Sequence, residues 1–90
     1  GDVTLTADSQ EFTGNILVDE ISSMVLTMKN GTSYEGAINP DGDGGTVDVT
    51  LDDNSTWTLT GDSYITSFDG DTSNITANGY HLYVNGEQVL

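Results

Sequence analysis

Met24-Val25-Leu26-Thr27-Met28-Lys29-Asn30-Gly31-Thr32-Ser33-Tyr34-Glu35-Gly36 and Val47-Asp48-Val49-Thr50-Leu51-Asp52-Asp53-Asn54-Ser55-Thr56-Trp57-Thr58-Leu59 carry one pattern twice, 23 residues apart. In each, three alternating apolar residues run into a polar corner, and an aromatic residue follows. Alternation marks a strand with one buried face. Recurrence at a fixed period in the twenties marks coils that stack on one another.

Extending the period over the whole chain yields further series. Val3, Leu26 and Val49 fall at a common spacing, as do Leu5, Met28 and Leu51. Phe12, Tyr34 and Trp57 form a third series, Gly14 and Gly36 a fourth, Ile16 and Ile38 a fifth. In a solenoid, equivalent residues form ladders, and the apolar ladders fill a continuous interior. Parity places the three aromatics inside, because Phe12 shares a face with Ile16 and Val18, Tyr34 with Ile38, and Trp57 with Leu59. On the outer face Thr4, Thr27 and Thr50 align, and Lys29 falls over Asp52. No segment has helical periodicity. Asn39 to Gly45 reads as a loop, as does Asp69 to Asn74, and Asn78-Gly79 and Asn85-Gly86 are turn signals.

The expected architecture is all-β, a right-handed parallel β-helix of about four coils, spanning roughly residues 1–22, 23–45, 46–73 and 74–90. The alternative is an antiparallel β-sandwich, since short strands and Asn-Gly turns also suit hairpins. The stretches Leu51 to Tyr64 and Asn74 to Val84 resemble the C-terminal coils of right-handed parallel β-helices, as in the pectate-lyase-like superfamily and related bacterial adhesins and carbohydrate-binding surface proteins. The stronger part of the resemblance covers residues 24–86. It implies the C-terminal part of a longer protein and a cell-surface context, and it brings no catalytic motif. Polysaccharide lyases of that superfamily use Arg or Lys as base. This chain has no Arg, and its single Lys29 sits at a corner.

Composition narrows the function classes. Fifteen acidic residues against one basic give a formal charge of −14 in 90 residues. A polyanion of this strength is repelled by nucleic acid and anionic membranes, leaving cations and neutral polymers as partners. Cysteine is absent, which removes disulfides, thiolate catalysis and zinc–thiolate sites. An acidic, Thr/Asn/Gly-rich β chain without cysteine fits a secreted or surface protein of bacteria. No apolar run reaches membrane-spanning length.

Asn39, Asp41 and Asp43, followed by Gly44, match the first half of a calcium loop, in which alternate oxygen-bearing residues converge on one point. Thr50 stands where an EF-hand needs its bidentate Glu, so the expectation is a simple calcium site competing with a solvated turn. Asp69, Asp71 and Ser73 form a lesser version. Near the end, alternation places Tyr80, Leu82 and Val84 inward, and His81 and Tyr83 outward as exposed aromatics. Thr-x-Thr arrays for ice binding do not persist, because the second and third coils carry Thr27-x-Lys29 and Thr50-x-Asp52. His81 is the only histidine and nothing marks out a pair among fifteen acids, so no catalytic constellation is assigned.

The functional expectation is a non-enzymatic structural or adhesin-type module, binding carbohydrate or another cell-surface ligand. The alternatives are the non-catalytic end of a polysaccharide-degrading β-helix, or a purely structural solenoid cap. Residues 1–18 are expected to self-associate or to pair with upstream coils, because a solenoid end leaves unpaired strand edges.

Overall fold

A computed structural model describes residues 1–42 and 44–90. Eleven short strands follow one another: β1 (Asp2–Asp8), β2 (Glu11–Thr13), β3 (Ser23–Lys29), β4 (Ser33–Glu35), β5 (Thr46–Leu51), β6 (Thr56–Thr58), β7 (Ser63–Ile65), β8 (Ser67–Asp69), β9 (Ile75–Thr76), β10 (Leu82–Val84) and β11 (Glu87–Gln88). A single 3-10 turn at Thr72–Asn74 precedes β9. The strands form three sheets, ordered β1-β3-β5-β8, β2-β4-β6-β9 and β7-β10-β11. Every strand pairing among the described residues is parallel except β10 with β11. The chain is thus a parallel β-solenoid of about four turns, and the antiparallel sandwich is ruled out.

A third side absent from the sequence-based strand list closes each turn. Ile16 and Ile38 form a parallel bridge there, and the Tyr64 amide donates to the Ile38 carbonyl at 2.9 Å, so β7 and β10 continue that side. Four rungs on three sides enclose one apolar column. Leu26, Met28, Tyr34, Ile38, Val47, Val49, Leu51, Trp57, Leu59 and Leu82 are among its fully buried members. Each inward residue buries its side chain against the rungs above and below, which no single coil could do alone.

The first-coil register differs from the sequence expectation by two residues. Val3 pairs with Met24, Leu5 with Leu26 and Ala7 with Met28, in place of Val3 with Leu26 and Leu5 with Met28. The outer threonine row is therefore Thr6, Thr27 and Thr50, with Asp69 as its fourth member, and Thr4 lies beside Val25. One residue of the slip is the corner, where Ser9 and Gln10 connect β1 to β2 but Asn30, Gly31 and Thr32 connect β3 to β4. The other is the interval from Phe12 to Tyr34, 22 residues against 23 from Tyr34 to Trp57. A slip of two keeps the inward parity, so the apolar faces were read correctly although the partners were not. Lys29 pairs in register with Asp8, and the Asp52 carboxylate accepts the Asn30 amide. At the other end the period shortens. Val49 pairs with Phe68, Trp57 with Ile75 and Tyr64 with Tyr83, 18–19 residues apart. The fourth rung of the first sheet is therefore Ser67–Asp69, and the last turn begins near residue 66, ahead of the 74 read from the spacing.

The aromatic series stacks inside as parity required. Phe12 lies on Tyr34 with centroids 4.6 Å apart, and Tyr34 on Trp57 at 5.9 Å. The polar ends of these rings find carbonyls at the corner. Trp57 Nε1 donates to Gly36 O at 3.0 Å, and the Tyr34 hydroxyl to Gly14 O at 2.7 Å. Burial pushes the Tyr34 phenol well above its ordinary range, so it remains a donor. Glycine is required at residue 36, where a methyl group would overlap the Gly14 carbonyl oxygen and come within 2.6 Å of the Tyr34 hydroxyl.

The inner corners are held by short polar side chains that replace missing ladder partners. Thr32 Oγ1 accepts from the Gln10 amide and lies 2.8 Å from the carbonyls of both Ala7 and Lys29. Ser55 Oγ accepts from the Thr32 amide, and Ser63 Oγ from the Ile38 amide. All three side chains are buried, and among the described residues no buried side-chain polar atom lacks a partner. That is the condition under which a buried polar ladder stabilises rather than destabilises. The three Asn-Gly pairs, Asn30-Gly31, Asn78-Gly79 and Asn85-Gly86, have positive φ at both residues, the backbone that Asn and Gly adopt most readily.

The two ends differ. Asn85-Gly86 folds β11 back on β10, and Leu90 packs partly against the core. At the first turn two inward residues lie bare: Val3 is 55% and Leu5 42% exposed, against 0% for Leu26 beneath.

Candidate functional site

Three regions carry the chemistry that the sequence flagged. The first is the Asn39 loop. Asn39 is buried with φ of 47°, and its Oδ1 accepts the Val18 amide at 2.8 Å. Its own amide donates to Ile16 O, and its carbonyl accepts from Gly42. A side chain at residue 44 would overlap the Asn39 amide nitrogen, so the glycine there lets the loop close over Asn39. Asn39 thus joins the first and second turns. Of its two companions in the calcium reading, Asp41 is exposed and Asp43 lies outside the described residues. Among the described residues no group of three His, Asp or Glu side chains is close enough to hold a metal ion.

The second region is an aromatic ledge on the third side. Tyr64 and Tyr83, neighbours in the β7–β10 register, stack with centroids 4.6 Å apart and planes within 5°. His81 meets the edge of Tyr83 at 6.4 Å. Its amide donates to Asp62 Oδ1, and its Nδ1 lies 3.2 Å from Leu90 O and 3.3 Å from Gln88 Nε2. Tyr83 and His81 do lie outside, while Leu82 is buried. Tyr80, expected inward, is 40% exposed, because it follows the Asn78-Gly79 turn and precedes the strand whose alternation was extended back to it. Tyr64 is the member that sequence reasoning missed. Its period to Tyr83 is 19, outside the 22–23 frame, although Ser63-Tyr64-Ile65 and Leu82-Tyr83-Val84 share one pattern. Beside the ledge lies a cleft of about 220 Å³ lined by Asn39, Gly42, Gly44, Tyr64, Thr66 and Asn85. A methyl group at residue 42 would sit 3.6–3.8 Å from the Tyr64 ring. Tyr64 thus lies between Gly42 and Tyr83 at the wall of the cleft.

The third region is the acidic outer surface, whose carboxylates serve as acceptors between turns. Asp2 accepts from Ser23 Oγ at 2.6 Å, Asp48 from Ser67 Oγ at 2.7 Å, and Asp8 from Asn30 Nδ2 at 2.9 Å. Asp52 accepts the Asn30 amide at 2.8 Å and the Asn54 amide at 3.0 Å. The Asn30 amide above all, with the Ser55 hydroxyl next, holds the Asp52 carboxyl below its usual range. The Ser73 amide does the same for Asp71. A depressed folded-state pKa contributes stability that is present above the unfolded value, about 4, and lost as pH falls through the folded value. The Asp52→Asn chain should therefore have a lower urea midpoint than the wild type at pH 7, with the gap closing toward pH 2. A gap that stays constant from pH 7 to pH 2 would refute the assignment.

Comparison with protein-family models, with curated proteins and with solved structures finds no match to this chain.

Proposed function

We propose that the chain is a non-catalytic structural or adhesin-type β-solenoid module of a secreted or cell-surface bacterial protein. The observation that carries this reading is the use made of the outer polar groups. Asp2, Asp8, Asp48 and Asp52 bond to the neighbouring turn, and the single imidazole is engaged with the chain end. Four of the fifteen acidic side chains are thus engaged in holding turns together. The likeness to the C-terminal coils of pectate-lyase-like β-helices and bacterial adhesins belongs to this reading.

A carbohydrate ligand is favoured by the Tyr64–Tyr83 ledge and its adjoining cleft, which Tyr64, Asn39, Asn85 and glycines line. Neutral sugars suit such a surface, since aromatic rings and polar groups of a cleft bind them without opposing charge. Glycan-array binding by the wild type, lost about tenfold or more in Tyr83→Ala with the melting temperature little changed, is the expected result; a drop of that size is about 1.4 kcal/mol. Equal binding by Tyr83→Ala would remove the ledge from the site. Polysaccharide turnover abolished by replacing one acid of this chain would overturn the non-enzymatic reading.

A further inference from the structure

The first turn presents a strand edge with no neighbour among the described residues. β1 is seven residues long and pairs only with β3, so alternate backbone groups on its other side have no ladder partner. The layer behind that edge is apolar. Val3 and Leu5 are exposed, and Phe12 and Ile16 are half-buried. Grooves of about 410 Å³ and 350 Å³ lie along it, the first walled by Leu5 and Phe12, the second by Val3 and Ile16. Leu17 and Ile21 add apolar surface at the adjoining corner.

The solenoid itself shows what covers such an edge, because the same contact is made one rung below. There Met24, Leu26 and Met28 lie against Val3, Leu5 and Ala7. Ser23 donates to Asp2, and Asn30 donates to Asp8. The β5–β8 junction repeats the rule, with Ser67 donating to Asp48. An acid of the outer surface is matched by a hydroxyl or amide donor in an adjoining turn, the next one for Asp2, Asp8 and Asp48 and the preceding one for Asp52, which accepts the Asn30 amide.

A second copy fails that rule. A two-fold head-to-head pairing would run β1 antiparallel to itself. Centred on Leu5, it sets Asp2 opposite Asp8 of the other copy at both ends. Like charges directly opposite destabilise a strand pair, and each copy brings a formal charge of −14. At the far end β11 already covers the edge of the third sheet, so head-to-tail stacking meets one closed side.

We propose that the free edge of the first turn is a docking surface for one further β-solenoid turn. That turn lies parallel on β1 and β2, with apolar residues inward and hydroxyl or amide donors over Asp2 and Asp8. The occupant is a coil-forming segment of polypeptide, distinct from the carbohydrate reading above and independent of it.

The test extends the intact chain with a coil of known stacking behaviour. Residues 23–45 are joined directly ahead of Asp2, which sets a second Ser23 over Asp2 in the register that Ser23 has over Thr46. A control carries Ser23→Asp and Asn30→Asp in the added copy. Amide exchange in β1 should slow by about tenfold or more in the first extended chain, with a higher melting temperature, and by clearly less in the control. Sedimentation should show the unextended chain monomeric at neutral pH, and dimers gained in Asp2→Asn/Asp8→Asn. Unchanged β1 exchange in the first extended chain, including the case where the added residues stay disordered, overturns the proposal. So does equal protection by the control, or a wild-type dimer at neutral pH that protects β1.

Discussion

Replacing Trp57 with alanine is expected to lower the unfolding free energy by about 3–5 kcal/mol, the range for deleting a large buried aromatic. Trp57 is fully buried, stacked on Tyr34 and paired in register with Ile75. It therefore supports the second and fourth turns at once, and its loss opens a void between rungs that short parallel strands cannot collapse to fill. The deletion also leaves Gly36 O without the indole donor, adding the penalty of a buried acceptor without a partner. For a domain of this size each kcal/mol moves the melting temperature by roughly 4–8 °C, so a fall of at least about 12 °C should appear in circular dichroism melts. Trp57→Phe separates the contributions: it retains a ring for the stack and loses the hydrogen bond, and should cost about 1–3 kcal/mol. A Trp57→Ala chain within about 1 kcal/mol of the wild type would mean that the aromatic column is not what joins the turns.

Asn39→Ala is expected to cost about 2–4 kcal/mol for two separable reasons. The buried Val18 amide loses its acceptor, worth about 1–3 kcal/mol. The backbone at φ of 47° then has to be held by alanine, at about 1 kcal/mol more. Asn39→Gly keeps the backbone freedom and loses only the acceptor, so it should fall between the alanine variant and the wild type in urea denaturation. The order alanine, glycine, wild type, from least to most stable, checks the assignment; alanine and glycine variants of equal stability would show that the left-handed backbone contributes nothing. Calcium titration of the wild type bears on the other expectation for this loop. Asn39 Oδ1 already accepts from Val18, so an ion drawing on that oxygen would have to share it.

The sequence made the inward face legible because alternation survives errors of register. Leu26, Met28, Val49, Leu51, Tyr34 and Trp57 were all placed inside, and the parallel stack followed from their period. Partner assignment was weaker where corner length varies. One residue fewer between β1 and β2, with one fewer in the rest of the first coil, is invisible to a pattern of apolar spacing, and together they moved the threonine row from Thr4 to Thr6. The third side was hidden for a different reason. Ile16 and Ile38 contribute a bridge rather than a strand, and the 19-residue interval that joins Tyr64 to Tyr83 lies outside the frame set by the central coils. The ledge was therefore half seen, with Tyr83 and His81 named and Tyr64 missing. The bond from the Val18 amide to Asn39 was not legible in composition, because Asn in a Gly/Asp-rich stretch has the same signature whether its oxygen faces an ion or a backbone amide.

The nearly constant interval between stacked residues has a kinetic consequence. Partners along every parallel ladder are 18–23 residues apart, so no parallel pairing is local and none is very distant. Each rung closes a loop of similar length, at nearly the same entropic cost as the last. Parallel pairing gives no hairpin shortcut except at the C-terminal β10–β11 turn. A relative contact order of about 0.2 follows, which belongs to chains that fold in milliseconds to seconds. The first junction to form carries the whole nucleation barrier, and the β3–β5 junction, six register pairs long and lined by Leu26, Val49 and Met28, is the one best able to bear it. Folding is then expected to spread outward in both directions like a zipper started from the middle, so that pulse-labelled amide exchange protects β3 and β5 before β1 and the Tyr64–Tyr83 ledge.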